Sequence, residues 1–180
     1  DMHGFFEQCI GLYCKLSGKQ RTQLRKVATP SIDEHNLSPE DFENPGELAQ
    51  DAAKIVMKML YGGRLCRYDL LWPICSIARE VSRWTVACDR RLERLVSYIN
   101  CTLDHSLEGC VGDSADQCSV LLYSDADFAG DTRASKSTSG MYIAIVGPNT
   151  FCPIMAHCKK QTCVSHSSTC NLYTSDADDE

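Results

Sequence analysis

Three observations on this 180-residue chain predict an α+β fold. Apolar residues recur at helical spacing in successive stretches between residues 48 and 100. β-rich apolar runs then take over at 119–125, 141–147 and 151–158, with a polar, Gly-containing turn between the first two. Helices precede strands instead of alternating with them, so the pattern reads as a helical segment followed by an antiparallel sheet.

The elements follow in order. Residues 1–30 open with Phe5 to Leu16, readable as a short strand or a helix, then a polar turn at Ser17-Gly18-Lys19 and an extended exit at Val27-Ala28-Thr29-Pro30. Residues 31–47 are acidic, contain two prolines and lack periodicity, which predicts a loop or linker. Asn44-Pro45 reads as an N-cap with proline at the first helical position, and Gly62-Gly63 as the stop of that helix. A second helix is predicted over Asp69 to Trp84, with Pro73 near its start because an interior proline would remove a hydrogen bond and clash. A third runs from Thr85 to Asn100, with Leu92, Leu95, Val96 and Ile99 as its apolar stripe and Arg90, Arg91 and Arg94 off it. A short strand near Ser106-Leu107 and the three longer strands complete the chain, before an acidic tail, residues 174–180, expected to be disordered.

Composition narrows the function classes. No apolar run approaches the about 18 residues that a bilayer span needs. The amino end, DMHGFFEQC, lacks a basic region and a long apolar core, and Asp1 at the start suits an excerpt or processed piece. The expectation is an intracellular protein, cytoplasmic or nuclear, without membrane association. The twelve cysteines contain no C-x-x-C pair, which argues against both a disulfide framework and a zinc finger. The run Cys152, His157, Cys158, Cys163, His166, Cys170 is the nearest approach to zinc spacing, and small thiols in or near the core are the preferred reading. Net charge is −6, unlike a free-standing nucleic-acid binder. The basic run Lys15, Lys19, Arg21, Arg25, Lys26 reads as a solvated face.

The candidate chemistry sits at Leu121 to Gly140. The run Val120 to Tyr123 ends on Asp125 and Asp127, with Asp131 in the turn that follows. A strand can deliver carboxylates to a sheet rim in this way for metal-dependent phosphoryl chemistry. The commoner use of such a pair is a strand-ending turn in which the carboxylates accept backbone N–H groups.

The wording Tyr123-Ser124-Asp125-Ala126-Asp127, with Lys136-Ser137-Thr138-Ser139-Gly140, closely resembles the opening of the ribonuclease H domain of copia-type retrotransposon Pol polyproteins. Other pieces resemble the same family in the same order. Val27-Ala28-Thr29-Pro30 is similar to its V-x-T-P, Cys66-Arg67-Tyr68-Asp69-Leu70 to T-R-P-D-I, and Val81-Ser82-Arg83-Trp84 to L-S-R-F. Lys159-Lys160-Gln161 and Ser167-Ser168-Thr169 match its S-K-K-Q and S-S-T. The resemblance implies an organisation of reverse transcriptase end (1–30), linker (31–47), helical connection (48–118), truncated ribonuclease H-like domain (119–173) and tail (174–180). Asp125 is then expected at the end of a central strand, in a sheet that lacks its covering helices and leaves some of Leu121, Tyr123, Ile143, Ile145 and Phe151 exposed.

The family's site works through two Mg²⁺ ions about 4 Å apart, held by several carboxylates. Asp125 and Asp127 would be the metal ligands carried over, with Asp125 the bridging catalytic one, and Arg90, Arg91 and Arg94 could lie along an RNA–DNA hybrid. After Thr169, however, the family continues E-A-E-Y where this chain has Cys170-Asn171-Leu172-Tyr173, with Leu172 at the position of an active-site glutamate. The resemblance therefore implies a vestigial site that holds no Mg²⁺ stably. Two alternatives stand beside it: an active metal-dependent nuclease on RNA–DNA hybrids, and a non-catalytic retroelement-derived interaction protein whose partner covers the sheet.

Overall fold

A computed structural model describes residues 2–126 and 137–161. The chain is α+β and divides into two compact units, residues 1–106 and 107–180. The segments 1–30 and 31–47 thus share a unit with the helices that follow them.

The first unit is helical. Helix α1 (His3–Ser17) resolves the strand-or-helix ambiguity at the amino end and stops at Gly18, whose φ of 70° is the left-handed conformation favoured at a helix exit. Phe6, Cys9, Ile10 and Tyr13 form its buried stripe, packed toward α3 (Ala52–Cys66) and α5 (Val86–Cys101). Helix α3 contributes Ala52, Ile55, Val56 and Met59, and α4 (Leu71–Ala78) contributes Leu71, Pro73, Ile74 and Ile77. Pro73 lies in the first turn of α4, where its missing N–H removes no intrahelical bond. On α5 the predicted stripe Leu92, Leu95, Val96 and Ile99 is buried, each side chain gaining roughly 1.5–3 kcal/mol over exposure.

Several boundaries differ from the sequence reading. Helix α3 starts at Ala52, not at Asn44-Pro45. Pro45 instead forms an antiparallel bridge with Thr85, and Gly46 passes so close that a Cβ there would lie 2.5 Å from the Thr85 carbonyl oxygen. Gly62-Gly63 does not stop α3 either. A Cβ on Gly62 would sit 2.7 Å from the Phe5 ring, so this glycine permits α1 to cross closely. The stretch 69–84 is broken, with 3₁₀ turns at Tyr68–Leu70 and Val81–Arg83 flanking a short α4. The second turn redirects the chain so that the buried Trp84 can donate its indole N–H to Asp89 at 2.6 Å. The 31–47 segment is not a bare linker: Ser38 and Asp41 form a reciprocal capping box that starts α2 (Pro39–Glu43).

The second unit holds three antiparallel strands, β1 (Ser119–Ala126), β2 (Thr138–Gly147) and β3 (Thr150–Lys160), in the order β1-β2-β3. Among the described residues β1 is therefore an edge strand, not the central one expected. The register pairs Leu121 with Ala144 and Asp125 with Gly140, and a bulge at Ile154 interrupts the β2–β3 pairing. No strand forms at Ser106-Leu107; Cys110 and Phe151 exchange backbone hydrogen bonds of 2.8 and 2.9 Å instead. Asp113 fastens the tight β2–β3 turn by accepting from the Asn149 backbone N–H at 2.7 Å and its side-chain amide at 3.0 Å. A Cβ on Gly147 would lie 2.6 Å from the same carboxylate, so glycine is needed beside it.

Candidate functional site

Asp125 stands on β1, one residue before the strand's end, and its side chain is exposed. The residue across from it is Gly140, which carries no side chain. The β1–β2 hairpin thus brings together the two halves of the strongest motif, aspartate on one strand and Ser139-Gly140 on the next. Asp127, the second candidate ligand, lies outside the described residues, as do Asp131, Ser167-Ser168-Thr169, Cys170, Leu172 and the acidic tail. Among the described residues no three His, Cys, Asp or Glu side chains converge as a metal site.

The arginines face α2 and the segment before it. Arg90 pairs with Asp41 and donates to the Asn36 carbonyl oxygen at 3.0 Å. Arg91 reaches Glu34 at 2.7 Å and stacks over the Phe42 ring. Arg94 donates twice to Thr29, at 2.9 Å to its carbonyl oxygen and 2.8 Å to its hydroxyl. The backbone hydrogen bond from Ser38 lowers the Asp41 carboxyl below its ordinary range, and Arg90 adds to the effect. All three guanidiniums thus fasten residues 29–42 onto α5.

The motif residues Arg67 and Asp69 also have partners in the fold. Arg67 is 4% exposed and grips Asp69 through two bonds, Nε to Oδ1 at 2.8 Å and Nη2 to Oδ2 at 2.7 Å. Its remaining bonds reach the Thr102 carbonyl oxygen at 2.8 Å and hydroxyl at 2.9 Å, tying the end of α3 to the end of α5. Burial alone would raise the Asp69 carboxyl, but the Arg67 hydrogen bonds and charge outweigh it and hold it below its ordinary value. Asp89 plays a similar part at the start of α5, accepting from the Glu47 and Leu48 backbone N–H groups as well as from Trp84.

Cys9, Cys14, Cys66, Cys88, Cys101, Cys110, Cys118 and Cys152 are free thiols. Cys9 and Cys88 are buried in the helical core, and burial pushes the Cys9 thiol up to about 11, an unreactive position. Sequence reasoning missed Asp89, Asp113 and the Arg67–Asp69 fork as structural anchors. Only the Ser38-x-x-Asp41 spacing carried a local signal, that of the capping box.

No helix among the described residues is long and apolar enough to cross a membrane. No family model, curated protein or solved structure matches this chain.

Proposed function

We propose that this chain is a stretch of a copia-type retrotransposon polyprotein, from the end of the reverse transcriptase region into a ribonuclease H-like sheet, and that it is catalytically silent by itself. The observation that carries the reading is the ordered series of motifs, of which the most specific falls on the paired strands β1 and β2. Asp125 is the penultimate residue of β1 and lies opposite Gly140 near the start of β2, a placement compatible with a metal-binding carboxylate at a sheet rim. The silence follows from the sequence at 170–173: Cys170 and Leu172 replace the family's two glutamates, and a hydrocarbon cannot ligate Mg²⁺.

The test is cleavage of a labelled RNA–DNA hybrid in Mg²⁺. The expected result is no activity above that of Asp125→Asn, whereas Mg²⁺-dependent cutting abolished by Asp125→Asn would overturn the assignment of silence. By isothermal titration the unchanged chain should bind Mg²⁺ weakly or not at all, and Cys170→Glu with Leu172→Glu should strengthen binding. Reading the nucleotide sequence past codon 169 in the other frames tests the family: a restored E-A-E-Y there supports it. A second reading, a retroelement-derived interaction protein, is favoured by the exposure of Val120, Leu122 and Tyr123 on one strand. Stable co-purification with a partner in the absence of nuclease activity would support that reading.

A further inference from the structure

Residues 25–43 are held in the helical unit differently at their ends and in their middle. The ends are pinned. Leu24 is buried just before the segment, and Arg21 donates to the Asn100 side-chain oxygen at 2.7 Å. Just after it, the Val86 N–H donates to the Asn44 carbonyl oxygen at 3.0 Å and the Gly46 N–H to that of Trp84 at 3.2 Å. In between, Leu37 is the one buried residue. The backbone hydrogen bonds there are local, from Asn36 to Asp33, Leu37 to Glu34 and Asp41 to Ser38. Across to α5, the contacts of residues 29–42 are those of Arg90, Arg91 and Arg94, with Glu34 and Asp41 as charged partners. A segment with so little apolar burial opens locally at low cost while its surroundings stay folded.

We propose that residues 25–43 are an autoinhibitory strap: closed, it fills a peptide-binding face on α5 made by Arg90, Arg91 and Arg94, and open, it yields that face to an acidic segment of a partner protein. The chemistry of the partner is read from the strap itself. Arg90 takes the Asp41 carboxylate and the Asn36 main-chain carbonyl oxygen. Arg91 takes the Glu34 carboxylate and lies over the Phe42 ring, 5.4 Å from its centroid. Arg94 takes the carbonyl and hydroxyl oxygens of Thr29. Planar guanidinium forks suit such paired acceptors and stack on rings. Main-chain carbonyls and an aromatic side chain are peptide groups that a bare phosphate chain lacks, so the face fits an acidic peptide with an aromatic residue. Tethering gives the strap a high effective concentration, and a competing peptide is excluded until the strap's own grip is loosened. This inference does not depend on the retroelement reading.

Fluorescence anisotropy with the full chain and a labelled synthetic peptide of residues 28–44 tests it. The unchanged chain should bind the peptide weakly. Leu37→Ser removes the strap's buried anchor, and Glu34→Gln with Asp41→Asn removes its charges while keeping its size. Each change should tighten peptide binding by about tenfold or more, as the tethered competitor is lost. The two act through different groups, so one decides the matter if the other misfolds. Adding Arg90→Gln and Arg91→Gln to either should reverse the gain, since the peptide's carboxylates then lose their guanidinium partners. In the unchanged chain, the Leu37 and Asp41 amides should exchange several-fold faster as NaCl rises from about 0.05 to 0.5 M, which screens exposed ion pairs, while those of Leu92 to Ile99 stay protected. Equal peptide binding by unchanged and loosened chains, or binding indifferent to Arg90→Gln and Arg91→Gln, would overturn the proposal. So would tighter binding of inorganic polyphosphate than of the peptide, or strap amides that open only together with those of α5.

Discussion

The helical unit and the sheet use similar apolar side chains to different ends. In the helical unit, Ile55, Met59, Ile74, Leu92, Leu95 and Ile99 are fully buried in one cluster. In the sheet, Ala144 is the one apolar side chain buried among the described residues, while Val120, Leu122, Tyr123, Phe151 and Met155 are exposed. Helices solve the burial problem among themselves, since each needs only one stripe covered and the neighbours supply it. A three-stranded sheet has two faces, and strands that are apolar on both need a further layer to cover them.

Hydrogen exchange sharpens this contrast most. Amides at 119–125 and 141–147 should exchange orders of magnitude faster in dilute protein than those of the 85–100 helix, because little apolar burial resists local opening. Equal protection in a dilute monomer would break the comparison.

Truncations should diverge in the same sense. Leu95→Ala is expected to cost about 2–5 kcal/mol in denaturant unfolding of the helical unit, as a fully buried leucine leaves a cavity. Leu122→Ala should cost within about 0.5 kcal/mol, as at an ordinary surface position. A large loss at Leu122 would mean that its side chain is covered in solution.

Smaller effects probe the fasteners of the helical unit. Arg67→Ala should cost roughly 1.5–3 kcal/mol by stripping charged hydrogen bonds from Asp69 and Thr102. Gly62→Ala should cost about 1–3 kcal/mol through overpacking against Phe5 and Phe6. If that glycine were merely a helix stop, alanine would be neutral or stabilising, so chemical denaturation of the variant separates the two roles.

The smallest expected effect is a pH dependence at Asp69. Its folded carboxyl titrates below the unfolded value, so its ion pair contributes fully above about pH 4. That contribution fades as pH falls through the depressed folded value. Unfolding curves of Asp69→Asn and the unchanged chain should therefore lie furthest apart near neutrality and converge in acid. A gap that widens in acid would reverse the assigned direction.

Local pattern was enough to locate much of this fold. The stripe of α5 is spaced at helical period and lies where that spacing puts it, and the apolar runs of β1 and β2 pair as a hairpin. The same reasoning misjudged Gly62-Gly63 and Asn44-Pro45, because glycine and proline carry the same local meaning at a terminus and at a close crossing. Only knowledge of what packs nearby separates those cases. At the candidate site, the sequence marked Asp125 as a strand-end carboxylate but not the edge position of its strand.

By itself, the sequence determined what each segment could be: the helix-period stripes, the strands and the capping box at Ser38. These properties act over a few residues or within one side chain, and the chain carries them wherever it goes. Tertiary structure alone decided the partners. It sent Arg90, Arg91 and Arg94 to residues 29–42, closed Arg67 onto Asp69 and Thr102, and set Gly140 opposite Asp125. Except for the Arg67–Asp69 contact, these pairings join residues far apart in sequence, where charge and spacing permit many partners and packing selects one.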